Sequence, residues 1–315
     1  LKAVGMRKSY FHAPAAYALV FNPKEQNMKK YLTAVLLLPL LMSFQSDKPA
    51  YLLFGKKGKK TSYKKMLKAL QEADVVLFGE QHNNPICHWL QLEVAQDLFA
   101  EKGDKLSLGA EMFEADAQLV LDEYLGKKIE ERHLTNEGKV WPNYKTDYSP
   151  LVDFARAHGL PFVASNIPRR YASLVAREGL EGLEDLPERA KGFIAPLPVE
   201  VDESLPGYAN MKKMMGDMGH GGSMVQAQAI KDATMAHFIL EEWKKGEGKL
   251  VLHFNGAYHS NNFEGIYWYL KKHAPDLNIA TISSVEQEEI GELTEENTGL
   301  ADFTLCIPSG MTKTY

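Results

Sequence analysis

Cysteine is almost absent. The 315 residues hold two, Cys87 and Cys306, about 220 positions apart. Two so distant make no disulfide framework. Cys306 sits in an apolar run and reads as a small buried hydrophobe. An exported compartment would permit a bridge to Cys87, but the spacing does not call for one. Several reactive signatures are missing too: G-x-G-x-x-G, a Walker-type loop, the nucleophile-elbow G-x-S-x-G and C-x-x-C. Their absence removes the usual sequence marks of dinucleotide, nucleotide-phosphate, serine-hydrolase and thiol-redox chemistry. No internal repeat is found.

Positive charge is also in short supply. The chain is 45% hydrophobic, 24% charged and carries a net charge of −5, values of a globular protein. Residues 1–46 hold six basic side chains against Glu25, so without that surplus of five the remainder stands at −10. A mildly acidic surface is a poor partner for nucleic acid, whose binding rests on phosphate neutralisation. The local basic run Lys56-Lys57-Gly58-Lys59-Lys60 reads as a solvated loop in preference to a contact with anionic membrane.

Long hydrophobic runs are limited to one. Met28-Lys29-Lys30 precedes an apolar segment of about a dozen residues over 31–44, and polar Gln45-Ser46-Asp47 follows. This basic–apolar–polar order is that of a secretory signal. A spanning helix needs about 20 apolar residues. Residues 1–27 read as an over-long start or disordered extension, 28–46 as a signal peptide, and 47–315 as one folded domain. No Cys follows the apolar run, so the signal lacks a lipid-attachment residue. The protein is expected in the periplasm or at the cell surface.

What is present is a repeated pattern of an apolar run ending in reactive residues. Asp74–Phe78 leads into Gly79-Glu80-Gln81-His82, Leu106–Ala110 into Glu111, Leu160–Ala164 into Ser165-Asn166-Ile167-Pro168-Arg169, and Lys249–Phe254 into Asn255-Gly256-Ala257-Tyr258-His259. Strands are expected at 74–79, 106–112, 161–165, 249–255, 278–283 and 302–307. They lack clean alternation, as strands buried on both faces do. Amphipathic helical patterns at 62–72, 88–100, 115–125, 150–158 and 262–273 lie between them. The expectation is an α/β fold with a mostly parallel sheet flanked by helices. Residues from about 170 to 248 show no strand and read as a helical insertion capping the carboxyl edge of the sheet. Ligands bind in the crevice beyond that edge.

Glu80, His82, Glu111 and His259 are the candidate catalytic residues. Glu80, His82 and His259 would suit Zn, Mn or Fe(II) with a coordination position left open. The same groups without metal would serve as a general acid/base pair. The alternative for either histidine is a ring that only bonds backbone. Asn166 and Arg169 suit a ligand carboxylate or phosphate, or else Arg169 pairs with Glu80 or Glu111. Arg170 reads as solvated. His253, inside a strand, reads as a satisfied core group, and His88 as either a rim residue or a helix-end residue. Met211, Met214, Met215 and Met218 share one helical face that ends at His220, with Tyr208 at its other end. That face suits a flat apolar ligand, or plain helix packing.

These motifs carry a resemblance. Gly79–His88 with Gln91, Glu111-Met112-Phe113, Asn166–Arg169, Gln228–Ala236 and His253–His259 resemble the ChaN-like haem-binding uptake family, related to the Tiki/TraB proteins and the erythromycin esterases. The resemblance covers about 70–308. It implies an α/β core with a helical subdomain, export, haem or another small molecule as ligand, haem held at a homodimer contact through a tyrosine, and outer-membrane uptake machinery as partner. Tyr144, Tyr148, Tyr171, Tyr208 and Tyr258 are the candidates near the rim, since phenolate binds ferric iron. The rim itself looks like the hydrolytic relatives, so a metal-dependent hydrolase is the second reading. If 28–46 is a signal, mass spectrometry of the exported protein should find an N-terminus near 43–46. A mature chain retaining Lys29 and Lys30 would contradict it.

Overall fold

The non-alternating apolar runs do become strands buried on both faces. The computed structural model describes residues 48–216 and 221–315, and Ala50–Tyr315 forms one compact unit. The first half contains β1 (Leu52–Gly55), α1 (Tyr63–Gln71), β2 (Val75–Glu80), α2 (Pro85–Lys102), β3 (Leu106–Glu114), α3 (Gln118–Leu125) and α4 (Glu131–Glu137). Then follow α5 (Ser149–His158), β4 (Phe162–Asn166), α6 (Arg169–Glu178), α7 (Glu188–Lys191), α8 (Pro206–Gly216) and α9 (Gly221–Trp243). The chain closes with β5 (Leu250–Gly256), α10 (Ile266–His273), β6 (Ile279–Gln287) and β7 (Phe303–Pro308). The proposed extension and signal, 1–46, lie outside the described residues. Among the described residues, no helix is long and apolar enough to cross a membrane.

The strands form one sheet in the order β1-β7-β6-β2-β5-β3-β4. All pairs are parallel except β1 with β7. The α/β, mostly parallel expectation therefore holds. The four-residue β1 was not foreseen, because it is too short to show a pattern. Boundaries moved where capping decides them. Asn84 accepts the Ile86 N–H and Pro85 opens α2, a helix start suited to proline, so His88 sits inside the first turns. Helix α10 begins at Ile266 and not at 262, because Asn262, Phe263 and Gly265 take positive φ values of 60°, 62° and 54°.

Two apolar layers sandwich the sheet. Val76, Phe78, Leu108 and Phe254 face Leu90, Val94 and Leu151 of α2 and α5. Val75, Leu77 and Val251 face Ala233, Ile239, Ile266 and Leu270 of α9 and α10. The strandless segment 170–248 thus supplies a helical layer through α9, whose N-terminal half reaches the carboxyl edge. Strands β2 and β5 are neighbours, yet α2 and α10 leave them for opposite faces. That divergence is a topological switch point, where a crevice opens at the carboxyl edge.

Gly79 holds this junction closed. It remains paired within β2 and does not turn the chain. A Cβ there would lie 2.8 Å from Ala257 Cα, in the turn that carries His259. The glycine lets two site-bearing segments touch. Both cysteines are buried and free: Cys306 lies in β7, and burial pushes the Cys87 thiol up to about 12.

Candidate functional site

Glu80 ends β2 with its carboxylate under the sheet rim, 2% exposed. Its Oε1 accepts from His82 Nδ1 at 2.9 Å and from Tyr148 Oη at 2.7 Å, and its Oε2 accepts from Gln91 Nε2 at 2.5 Å. Tyr148 is delivered by a π-helical turn over Tyr144–Tyr148; such turns gather at functional sites. The His82 ring stands edge-on to Trp141, 5.0 Å between centroids, and its side chain is 38% exposed. Burial works against a charge on His82, but the hydrogen bond and charge of Glu80, with Glu111 beyond, raise its pKa above the ordinary value. A second layer fixes the loop: the His82 carbonyl accepts from His88 Nε2 and Asn143 Nδ2. His88 is thus neither a free rim residue nor a solvated helix end.

The other half of the site is a closed ion cluster. His259 lies between two carboxylates, Nδ1 at 2.5 Å from Asp232 Oδ1 and Nε2 at 3.2 Å from Glu111 Oε1. Gln228 also reaches the ring. The second oxygen of Glu111 accepts the Gly256 N–H at 2.8 Å, and the second oxygen of Asp232 accepts the Tyr208 hydroxyl at 2.6 Å. Burial would neutralise His259, yet the charges of Glu111 and Asp232 outweigh it and raise its pKa to about 10. Glu111 pays the same desolvation but is held well below the usual carboxylate range by His259. Asp232 is pushed up, first by burial and further by the charge of Glu111.

The two halves meet over Gly256. A Cβ on that residue would lie 2.8 Å from His82 Nε2 and 3.5 Å from Glu111 Oε2. Only a glycine leaves room for the imidazole and carboxylate to converge there. The fold therefore brings Glu80, His82, Glu111 and His259 to one place, from the ends of β2, β3 and β5. Asp232 and Gln228 belong to the same cluster and were missed as site residues; Tyr148, a rim candidate from the sequence, joins them as the partner of Glu80. A signal existed: Gln228 and Asp232 are polar at i, i+4 on the apolar face of α9 with Val225, Ala229 and Ala236, so burial obliges them to find partners.

A cleft of about 590 Å³ opens beside the cluster, lined by Glu111, Asn166, Arg169, Trp141, Met224 and Lys231 among others. Asn166 donates to the Glu111 carbonyl. Arg169 lines the cleft and forms no ion pair with Glu80 or Glu111 among the described residues, because both carboxylates are already taken. Arg170, expected to be solvated, pairs with Asp116 at 2.5 Å. His253 is a core residue as expected, 2.7 Å from Ser165 Oγ, with burial lowering its pKa to about 4.

Other expectations need revision. Glu80, His82 and His259 do not converge as metal ligands. Glu80 is spent on His82, Tyr148 and Gln91, and both nitrogens of His259 face carboxylates. Among the described residues, no three His, Cys, Asp or Glu side chains are placed to hold a metal ion. Tyr208 is buried, and burial and Asp232 raise its pKa, so it braces the cluster and offers no open phenolate. Its methionine face is split: Met211 packs against Tyr208 and Val225, whereas Met214 is 76% exposed. Met218 and His220 lie outside the described residues. Among the other rim tyrosines, Tyr144 and Tyr148 are buried, Tyr171 accepts from Arg170, and Tyr258 is 49% exposed.

Comparison with known proteins matches this arrangement to a family. Residues 66–270 fit the model of haem-binding uptake proteins of the Tiki superfamily, ChaN. The chain belongs to this family. Its fold is similar to that of ChaN of Campylobacter jejuni, with a TM-score of 0.62 and 19% identity over 84% of this chain and 99% of the other. It is also similar to an erythromycin esterase, EreC, with a TM-score of 0.43 and 10% identity over 81% and 83% of the two chains. In Arabidopsis thaliana, the chloroplastic protein RETICULATA-RELATED 5 is 27% identical over 64% of this chain. The match spans 29% of that longer relative.

The charge on His259 predicts a pH dependence for this ChaN-family chain. Its folded pKa of about 10 exceeds the unfolded value of 6.5. The stability it contributes is complete below the unfolded value and is lost as pH rises through about 10. Urea unfolding should therefore show stability falling between pH 7 and 10, with a smaller fall in His259→Gln. Equal slopes in the two proteins would refute a buried imidazolium.

Proposed function

We propose that this chain is an exported haem-binding protein of a haem or iron uptake system, with Tyr258 as the iron-ligating side chain. Tyr258 carries the reading: it combines a half-exposed ring with a place on the site-bearing turn after β5. The family supplies the ligand class, and ChaN of Campylobacter jejuni binds haem cofacially. The donor set fits at this point and not in the cleft, whose lining contains no Tyr, His or Cys. Haem would bring ferric iron, which phenolate binds.

Around it the chain's own residues do the positioning. The Tyr258 hydroxyl donates to the Gly207 carbonyl at 2.8 Å, which ties it to α8, the helix of exposed Met214. A thioether on such a surface suits a flat polarisable ligand. A homodimer meeting at this face would accommodate cofacial ligands, and delivery to outer-membrane machinery agrees with the segment 28–46. Burial, with the charges of Asp232 and Glu264, raises the Tyr258 pKa. Ligation must release that proton, so haemin affinity should rise with pH. In an absorption titration, wild type should give a high-spin ferric tyrosinate spectrum. Tyr258→Phe should lose it and bind haemin at least about tenfold more weakly, while Tyr171→Phe behaves as wild type. A wild-type spectrum in Tyr258→Phe would remove Tyr258 as ligand.

One observation favours a second reading, metal-free hydrolysis. His82 is oriented through Nδ1 by a buried carboxylate, and its Nε2 makes no hydrogen bond among the described residues. This is the posture of a general base. Nε2 would take a proton from water attacking an acyl carbon and pass it to the leaving oxygen. With 4-nitrophenyl acetate as probe, kcat/KM should increase with pH through the raised pKa of His82 and fall about 100-fold in His82→Ala. Hydrolysis equal in the two proteins would make the dyad structural.

A further inference from the structure

We infer that the cleft beside Trp141 is a binding site for a small organic anion, separate from the haem contact at Tyr258. The charge pattern points there first. The neighbouring cations are matched: Lys139, which also lines the cleft, bonds Glu114 and Asp116, and Arg170 takes Asp116. Arg169 and Lys231 line the cleft, and neither side chain forms an ion pair or hydrogen bond among the described residues. Two cations directed to one cavity repel unless an anion joins them. Neither carboxylate in the lining serves them, because His259 and the Gly256 N–H occupy the oxygens of Glu111 and Lys139 holds Glu114.

Two further features define the ligand. Arg169 opens α6, which has no side-chain cap, so the partial positive charge of the helix start adds to the guanidinium. Asn166 donates to the Glu111 carbonyl, but its Oδ1 is buried without a partner. A buried acceptor left unmade is costly, and a ligand hydroxyl or N–H would satisfy it. Apart from the Glu114–Lys139 pair and Ser173, the remaining wall is apolar, with Trp141, Pro142, Ile167 and Met224 its largest side chains. The complementary molecule has an apolar body, a carboxylate or phosphate, and a neighbouring hydrogen-bond donor. The inference concerns binding alone and stands whether or not His82 acts on what is bound.

Isothermal titration of the full chain can test this with mandelate, phenyl phosphate and neutral mandelamide at low and high salt. Mandelate or phenyl phosphate should bind saturably, and whichever binds tighter identifies the oxyanion. Mandelamide should bind at least about tenfold more weakly, and salt should reduce the difference. Arg169→Gln and Lys231→Gln should each weaken the anion about tenfold, with circular dichroism and haemin binding unchanged. The surface variant Lys244→Gln should bind as wild type. Equal binding of mandelamide and mandelate, unchanged affinity in both cleft variants, or no saturable binding by natively folded protein would overturn the proposal. Loss of haemin binding in Arg169→Gln and Lys231→Gln would overturn it too, by making the cleft the haem site.

Discussion

A protonated imidazole buried between two carboxylates is the interaction on which this rim depends. His259, Glu111 and Asp232 come from the turn after β5, the end of β3 and the middle of α9. Burying an imidazolium with its two carboxyl partners is expensive, and their attraction compensates only when geometry is close and every remaining oxygen is bonded. Here the spare oxygens meet the Gly256 N–H and the Tyr208 hydroxyl. The cluster therefore acts as a clamp. It sets the register between the helical layer and the sheet edge, and it would be costly with any one member missing.

The clamp also organises its surroundings. Tyr258 precedes His259 in the chain, so fixing the imidazole fixes the position from which the phenol reaches outward. Across Gly256, the Glu80–His82 pair is built on the opposite principle. Its carboxylate is sealed, but among the described residues its imidazole keeps one nitrogen without a hydrogen bond. One closed ion cluster thus lies between an open imidazole on one side and an exposed phenol on the other. A haem-binding surface and an acid–base site are compatible on such a rim because they draw on different side chains.

Much of the fold was legible from strand ends alone. Runs such as Val75–Phe78 and Leu250–Phe254 lack alternation because they are covered on both sides, and that absence identifies a parallel sheet. The reactive residues following them were legible for the same reason, since such a sheet exposes only the ends of its strands. β1 was invisible because four residues carry no period. The pairings within the candidate metal trio were not legible, because the sequence shows which groups are near a rim but not which atoms they turn toward one another. Asp232 was overlooked because it arrives from a helix far along the chain.

The sequence by itself determined the layer order, the family motifs, and the presence of Glu80, His82, Glu111 and His259 at one sheet edge, because these follow from periodicity and local backbone preference. Tertiary structure decided how those groups are used. It placed Asp232 against His259, closed Glu80 onto His82 and Tyr148, buried Tyr208 while leaving Tyr258 open, and left Arg169 and Lys231 without counter-ions among the described residues. Those outcomes depend on angstrom-scale distances between segments remote in sequence, and electrostatic energies in a low-dielectric interior change steeply over such distances.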